Sequence, residues 1–379
     1  MPSSFAEARV DLGAISENVA ALARRARGAA VMGVVKADGY GHGMLPATRA
    51  MLAGGATWLG TAFIEEALEL RGAGITCPVV AWILPPHAPL AAAVAADIDL
   101  GVSAPPLIDD IAAAARETGR PARVHLKADT GLNRGGLTTE QWPETVAAAA
   151  RAEAEGLIRV TGLFSHFACA DEPGHPSIAA QTSAFHEALE IAAKAGLAPE
   201  VRHLANSAAT LTLPESHFDL VRPGIASYGL SPIPGLAGTG LRPAMTLRTS
   251  VALVKRVPGG SGVSYGHRYT TDAPTNLALI PLGYGDGIPR AATNTGPVFV
   301  AGKRRTVSGT VCMDQFMVDI GDDASTAKAA GDGPEAVLFG PGDYGEPTAQ
   351  DWADVLGTIP YEIVTRISAR VPRVYDGAD

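Results

Sequence analysis

Apolar positions along this chain fall into two textures. Between residues 29 and 229, short β-branched or apolar runs alternate with longer Ala-rich stretches whose apolar residues recur at three- and four-residue spacing. The short runs are "AAVMGVVK", "TWLGTAF", "VVAWIL", "IDLGVS", "ARVHLKAD", "RVTGLFSHF", "EVRHLANS" and "LVRPGIASYG". Between them lie stretches such as "MLPATRAMLAG", "IEEALELRGAG", "PPLIDDIAAAARETG" and "WPETVAAAARAEAEG", with helical spacing and glycine near their ends. Eight strand–helix repeats of this kind predict an α/β protein whose N-terminal part, residues 1–235, is a (β/α)8 TIM-type barrel. The helical stretch "AISENVAALARRA" precedes the first barrel strand as a lead-in helix.

The Pro- and Gly-rich "SPIPGLAGTGLRP" reads as a linker, and from about residue 236 the texture changes. "AMTLRTSVALVKRV", "TNLALIPLG", "GPVFVAG", "KRRTVSGTV", "FMVDIG" and "EAVLFG" are short alternating strands separated by turns. They predict a mainly-β C-terminal domain over 236–379 with one helical segment around "TAQDWADVLG". An N-terminal strand over about 7–12, "ARVDL", is available to pair with it.

Composition narrows the function classes. Of 379 residues 47% are hydrophobic and 18% charged, which suits a large core, and the net charge of −9 leaves no basic face for nucleic acid. No apolar run is long enough to span a bilayer. Three scattered cysteines without a CxxC pair, and an N-terminus without a basic-then-apolar leader pattern, point to the cytoplasm.

Barrel enzymes gather their chemistry where strands end. The polar residues there are Lys36 and Tyr40 after the first strand, Lys127 and then Arg134 after the fifth, and His166 at the end of the sixth. Asn206 and Ser207 follow the seventh, and Arg222 lies within the eighth, followed by Gly224 and Ile225. A single strand-end lysine is most often a solvated charge, and a single histidine most often a hydrogen-bonded core residue. Several cationic groups aimed at one barrel mouth are a different matter, because they call for an anionic ligand. The loops after strands seven and eight are also where barrels hold phosphate on backbone amides, and "NSAAT" and "RPGIAS" offer small residues there. A phosphate site beside a strand-end lysine points to pyridoxal 5′-phosphate.

At this point the chain resembles a known family. "AVMGVVKADGYGHG" is similar to the pyridoxal-lysine signature of the alanine racemases, with Lys36 at the lysine that carries the cofactor. "KADTGLNRGG", "FSHFACAD", "ANSAA", "VRPGIASYGL", "GVSYGHRY", "PLGYGDGIPR", "GTVCMDQFMVDI" and "YEIVTRISARVPRVY" follow that family's blocks in order over nearly the whole chain. The resemblance implies interconversion of L- and D-alanine for peptidoglycan by a two-base mechanism. Lys36 is one base and Tyr265 of the partner subunit the other, so that a proton leaves one face of the substrate Cα and returns to the opposite face.

The same resemblance implies the remaining roles. His166 lies beside the phenol and is hydrogen-bonded onward to Arg222, which faces the pyridine nitrogen; a fixed cation there favours the phenolate. Tyr40, Ser207, Gly224, Ile225 and Tyr361 match the phosphate contacts, with Asn206 among the cofactor-binding residues. Arg134 matches the arginine near the cofactor phenolate and substrate carboxylate, and Lys127 a lysine often carbamylated in relatives. Met313 offers an amide to the substrate carboxylate and Tyr284 narrows the approach, both from the second subunit, which implies a homodimer with shared sites acting on a small amino acid. The sequence departs from the pattern at Leu132, where methionine is frequent, at Asn133, where glycine is common, and at Gly285, where alanine is common.

Three rival readings have sequence support to weigh. A metal-dependent barrel hydrolase would use a carbamylated Lys127 with His166 and His203, but the chain lacks an HxH after strand one and an acid at the end of strand eight. Pyridoxal-phosphate-binding barrels without turnover are single-domain and lack "VSYGHRY" and "CMDQF". A serine or broad-specificity racemase of the same family differs in bulk near the substrate side chain, and Tyr265, Tyr284 and Tyr361 suggest a tight pocket.

Overall fold

The computed structural model describes residues 5–322 and 335–377; residues 1–4, 323–334 and 378–379 lie outside it. The chain divides into two compact units, one of residues 15–39 and 47–241, the other of residues 1–14, 40–46 and 242–379.

The first unit is the barrel. Its strands are Ala30–Val34, Trp58–Thr61, Val79–Ala81, Asp99–Val102, Ala122–Lys127, Ile158–Phe164, Val201–His203 and Leu220–Val221, each parallel to its neighbour in the sheet. Helices such as Ile64–Gly72, Leu107–Thr118, Trp142–Ala154 and Pro176–Lys194 connect them. The sheet runs from Val201–His203 round to Leu220–Val221. It closes there without a regular ladder, through Asp219 N donating to Arg202 O (3.1 Å), Arg222 N to Ala205 O (2.9 Å) and the Arg202–Asp219 ion pair. Met32, Trp58, Val80, Val201 and Leu220 pack into one buried cluster, as expected of strands covered on both faces.

Arg222 does not lie within the eighth strand, which ends at Val221. The cause is local: Pro223 has no N–H to continue a ladder and restricts the residue before it. The rest of that run, Ile225–Tyr228, is a 3-10 turn ended by Gly229 in the left-handed region. Arg222 is thereby freed from strand alternation.

The second unit is mainly β. Six strands order as Lys303–Thr306, Pro297–Val300, Glu335–Phe339, Met245–Ser250, Ala6–Asp11 and Arg373–Asp376. The N-terminal strand pairs antiparallel with Met245–Ser250, Ala6 opposite Thr249 and Val10 opposite Met245, and parallel with Arg373–Asp376. Its alternating buried and half-buried positions show a sheet with one covered face. A second sheet holds Leu253–Val257, Thr275–Ile280 and Phe316–Gly321, so the single run "AMTLRTSVALVKRV" is two strands in two sheets. Helices Ala349–Leu356 and Pro360–Thr365 complete it, the first capped by a Thr348–Asp351 capping box. Among the described residues no helix is long and apolar enough to cross a membrane.

Residues 40–46 belong to this unit for a steric reason. Gly43 has φ +90° and a Cβ there would lie 2.0 Å from Tyr375 Oη, while a Cβ at Gly41 would lie 2.5 Å from Val364 O, and the Gly41 carbonyl accepts from Arg373 Nε (2.9 Å).

Candidate active site

Lys36 stands two residues beyond the first barrel strand. The chain then turns left-handed, with φ of 53°, 52°, 59° and 53° at Ala37, Asp38, Gly39 and Tyr40. Such backbone costs a non-glycine residue about 1–2 kcal/mol, so the turn must be held from outside. Gly39 N donates to Val35 O (2.8 Å) and Ala37 N to Glu66 Oε1 (2.7 Å). Glu66 is itself fixed, its Oε2 accepting from Ala62 N and Phe63 N. The Lys36 amine lies 5.9 Å from the centre of the Trp82 ring. Trp82 fits only because Gly60 and Gly101 carry no side chain: a Cβ would come within 2.5 Å and 2.8 Å of it. Burial, and then the Arg134 cation, lower the Lys36 pKa against the pull of Glu66.

Arg222 is 6% exposed. Its Nη2 donates to Ser165 O (2.8 Å), His166 Nδ1 (3.2 Å) and Leu204 O (3.3 Å), and its Nη1 to His203 Nδ1 (3.1 Å). Among the described residues no carboxylate neutralises it, and burial brings its pKa down to about 9, which still leaves a cation at neutral pH. A guanidinium has five N–H donors, and these contacts leave Nε–H and one Nη1–H of Arg222 without an acceptor among the described residues. Because arginine only donates, His166 Nδ1 accepts and the imidazole proton sits on Nε2. Burial, then Arg222, Arg134, Lys127 and Lys36, hold His166 well below the usual histidine pKa. Burial, then Arg134 and Arg222, bring Lys127 down to about 8.

These groups therefore share one electrostatic environment with a surplus of positive charge. The two carboxylates that oppose it, Glu66 and Asp129, are already held by backbone amides; Asp129 Oδ1 accepts from Gly131 N and Asn133 N. The second of those amides explains a departure noted in the sequence: position 133 has φ +55°, which glycine adopts freely and asparagine better than most residues.

The loops after the last two strands also meet. Ser207 Oγ accepts from Gly224 N (2.9 Å) and Ala226 N (3.3 Å), at the N-terminus of the Ile225–Tyr228 turn. Asn206 caps the short helix Ser207–Thr212, its Oδ1 accepting from Ala209 N (3.0 Å). With two amides already given to its oxygen, the Ser207 hydroxyl has its hydrogen to donate, and with a guanidinium that no described carboxylate compensates it forms a donor set that suits pyridoxal phosphate, whose phosphate and ring nitrogen both accept.

In the other unit Tyr40 is buried and packs 6.1 Å from the Tyr361 ring; burial, then Tyr361, raise its pKa. Tyr265, Tyr284 and Met313 are all exposed, Tyr265 at 74%. Thr310 Oγ1 donates to Tyr265 O (2.6 Å), Tyr284 N to Cys312 O (3.0 Å) and Gly285 N to Met313 O (2.8 Å), so one loop scaffold presents all three. Gly285 departs from the family pattern where space is short: a Cβ would lie 2.6 Å from Arg370 Nη1.

Asp99 and His125 escaped the sequence reading as site residues, and His203 entered it only as a ligand in the metal-hydrolase reading. Asp99, His125 and His203 are joined to Arg222 by hydrogen bonds through the barrel interior. The available signal was an ionisable residue next to apolar ones in three parallel strands: Asp99 before Leu100, His125 between Val124 and Leu126, and His203 before Leu204.

A parallel barrel-like sheet with a strand-end amine, a buried guanidinium that no described carboxylate neutralises and a serine hydroxyl between its last two strand ends defines the class: a barrel enzyme suited to an anionic cofactor. The comparisons carry this further. Residues 10–232 match the model of the alanine racemase N-terminal domain and residues 244–375 that of the C-terminal domain. The chain is 68% identical over 376 residues to the alanine racemase of Thermobifida fusca, covering 99% of each, and 60% identical over 378 residues to that of Streptomyces coelicolor, covering 98% of this chain and 95% of the other. A crystal structure of alanine racemase from D-cycloserine-producing Streptomyces lavendulae is similar with a TM-score of 0.96 at 56% identity, covering 100% of this chain and 98% of that one. The chain belongs to the alanine racemase family, whose members are pyridoxal-phosphate-dependent isomerases.

Proposed function

We propose that this chain interconverts L- and D-alanine with pyridoxal phosphate bound through Lys36, acts as a homodimer, and supplies D-alanine for peptidoglycan in the cytoplasm. The observation that carries the reading is that the Lys36 amine, its pKa lowered, and a buried guanidinium that no described carboxylate neutralises both act on His166. When bound, the cofactor spreads the electron pair left at the substrate Cα after its proton departs.

The residues of this chain supply the rest. Lowering the Lys36 pKa enlarges the fraction of neutral amine near pH 7, the form that can attack a carbonyl or accept a proton. Arg222 orients the ring nitrogen by donation, with Nε–H and one Nη1–H available for it. His166, accepting at Nδ1, presents its Nε2–H to the phenol oxygen of Tyr265 of the partner subunit. The exposure of Tyr265, Tyr284 and Met313 on one scaffold supports their delivery to a second protomer. Within the barrel unit Asn206, Ser207, Gly224 and Ile225 hold the phosphate, and Arg134 holds the substrate carboxylate. With its pKa near 8, Lys127 keeps about a tenth of its amine neutral at pH 7, so it can add carbon dioxide with loss of a proton. The resulting carbamate would orient Arg134.

Borohydride reduction of the cofactor-loaded protein, followed by peptide mass mapping, should place the reduced cofactor on Lys36. Rates on L-alanine should far exceed those on L-serine and L-lysine. An unlabelled Lys36 overturns the cofactor assignment, and comparable turnover of lysine overturns the substrate.

A further inference from the structure

The barrel interior holds a polar chain that the reaction as described does not use. Arg222 Nη1 donates to His203 Nδ1 (3.1 Å), His203 Nε2 lies 2.8 Å from His125 Nδ1, and His125 Nε2 lies 3.0 Å from Asp99 Oδ2. Asp99, His125 and His203 have no solvent exposure. Asp99 also accepts from Thr161 Oγ1 (2.8 Å) and from Arg123 Nε (2.7 Å) and Nη2 (3.2 Å). Burial alone would raise its carboxyl pKa, but the bonds from His125 and Arg123 outweigh that and hold it ionised.

Donor logic leaves one arrangement of protons. Arg222 has nothing but donors, so His203 Nδ1 is bare. His203 must then carry its proton on Nε2, since an imidazole bare at both nitrogens does not persist near neutral pH. That proton is donated to His125 Nδ1, which is therefore bare too, and His125 gives its own Nε2–H to Asp99. Every bond runs in one direction, from the guanidinium to the carboxylate. Each ring turns its negative end to Arg222 and its positive end to Asp99, so the two ring dipoles align between a cation and an anion.

The packing holds this order in place. His203 stacks on Phe164 with ring centres 4.9 Å apart, Arg222 lies 5.6 Å over the same ring, and His125 meets Trp58 edge-on at 5.6 Å. Gly162 makes room for His125, because a Cβ there would be 2.3 Å from its Nδ1.

We propose that Asp99, His125 and His203 are positioning residues: a one-way relay that fixes the rotation of Arg222 and keeps it a cation, so that its free N–H groups meet the cofactor ring nitrogen. The proposal rests on the reading that Lys36 carries pyridoxal phosphate. It reaches beyond that reading in assigning a shared task to three buried residues that touch neither substrate nor cofactor.

Neutron diffraction from the parent protein near pH 7 should show hydrogen on Nε2 of both His125 and His203 and none on either Nδ1; an Nδ1 hydrogen on either ring overturns the relay. In kinetics, His203→Leu should lower kcat at least about tenfold with KM for alanine within about twofold. His203→Asn keeps an acceptor toward Arg222 and a donor toward His125, and should recover kcat to within about threefold of the parent. Asp99→Asn, which removes the anion alone, should fall between them and serves if the leucine variant does not fold. Parent-like turnover in His203→Leu, or no recovery in a folded His203→Asn, refutes the relay. Borohydride labelling of Lys36 in parent and variants separates the two readings: label in all with unchanged kcat removes the relay alone, and label in none removes the cofactor reading.

Discussion

Gly162→Ala puts one methyl group where the barrel interior is fullest. The new Cβ would lie 2.3, 2.5 and 2.6 Å from Nδ1, Cε1 and Cγ of His125, about 1 Å inside any tolerable contact. The ring cannot step aside cheaply, being bonded to His203 on one edge and Asp99 on the other and packed against Trp58 and Phe164. Forcing a methyl into a filled core costs about 1–3 kcal/mol. Rotating the imidazole away instead gives up a neutral hydrogen bond of about 1 kcal/mol and one to a carboxylate of about 1.5–3 kcal/mol. Replacing glycine inside a strand returns about 0.5–1 kcal/mol. Taking the cheaper of the two routes and subtracting that gain, the net expectation is a loss of up to roughly 2.5 kcal/mol, read as a lower urea midpoint at unchanged slope. Gly119→Ala is the control: its φ of +67° strains alanine by about 1 kcal/mol, but nothing lies within 4 Å of the added Cβ. Kinetics separate the two variants, since Gly162→Ala should also lower kcat by disturbing Arg222 while Gly119→Ala should not. A Gly162→Ala protein with parental midpoint and parental kcat would refute the packing reasoning.

The remaining expectations concern the reaction and its electrostatics. Arg222→Glu replaces a donor that keeps its proton with an acid that can surrender one, so transamination side product should rise; a lactate-dehydrogenase-coupled assay for pyruvate would show it, and unchanged partitioning would refute the role of Arg222. Lys36→Ala and Tyr265→Ala should each be inactive, yet equal mixing with subunit exchange should restore about a quarter of parental activity, because half the dimers then hold one intact site of two. No recovery despite mass-verified exchange would refute shared sites. In the cofactor-free protein Lys127 titrates near 8 folded and near its ordinary value of 10.5 unfolded, so between those values the unfolded chain binds more protons and stability rises with pH. Lys127→Met should therefore stabilise the chain by about 1 kcal/mol at pH 7 and by less at pH 10, compared by urea midpoints; an equal gain at both would contradict the shift.

The alternation of apolar runs with Ala-rich helical stretches made the barrel legible, because strands buried on both faces have few polar positions to interrupt them. Lys36, Lys127, His166 and Arg222 were legible for the complementary reason: a charge at the end of such a run has to be accounted for. The β unit was harder to read. "AMTLRTSVALVKRV" keeps one alternating pattern across Val251 and Ala252, yet its halves join different sheets. Arg373–Asp376 pairs with the N-terminal strand from the far end of the chain, and four residues of half-buried strand carry too little pattern to announce a partner more than 360 residues away.

By itself, then, the amino-acid order determined most of the barrel's strands and helices, which cations stand at or just past the barrel strand ends, and which family blocks are present, since each depends on residues near one another in the chain. Folding in three dimensions decided what those groups do to one another. Arg222 left its strand because Pro223 ended the ladder, and the proton positions of His125 and His203 follow only when residues 99, 125, 203 and 222 meet inside one barrel. A hydrogen bond depends on distance and direction between particular atoms, and for residues far apart in sequence those are set by packing alone.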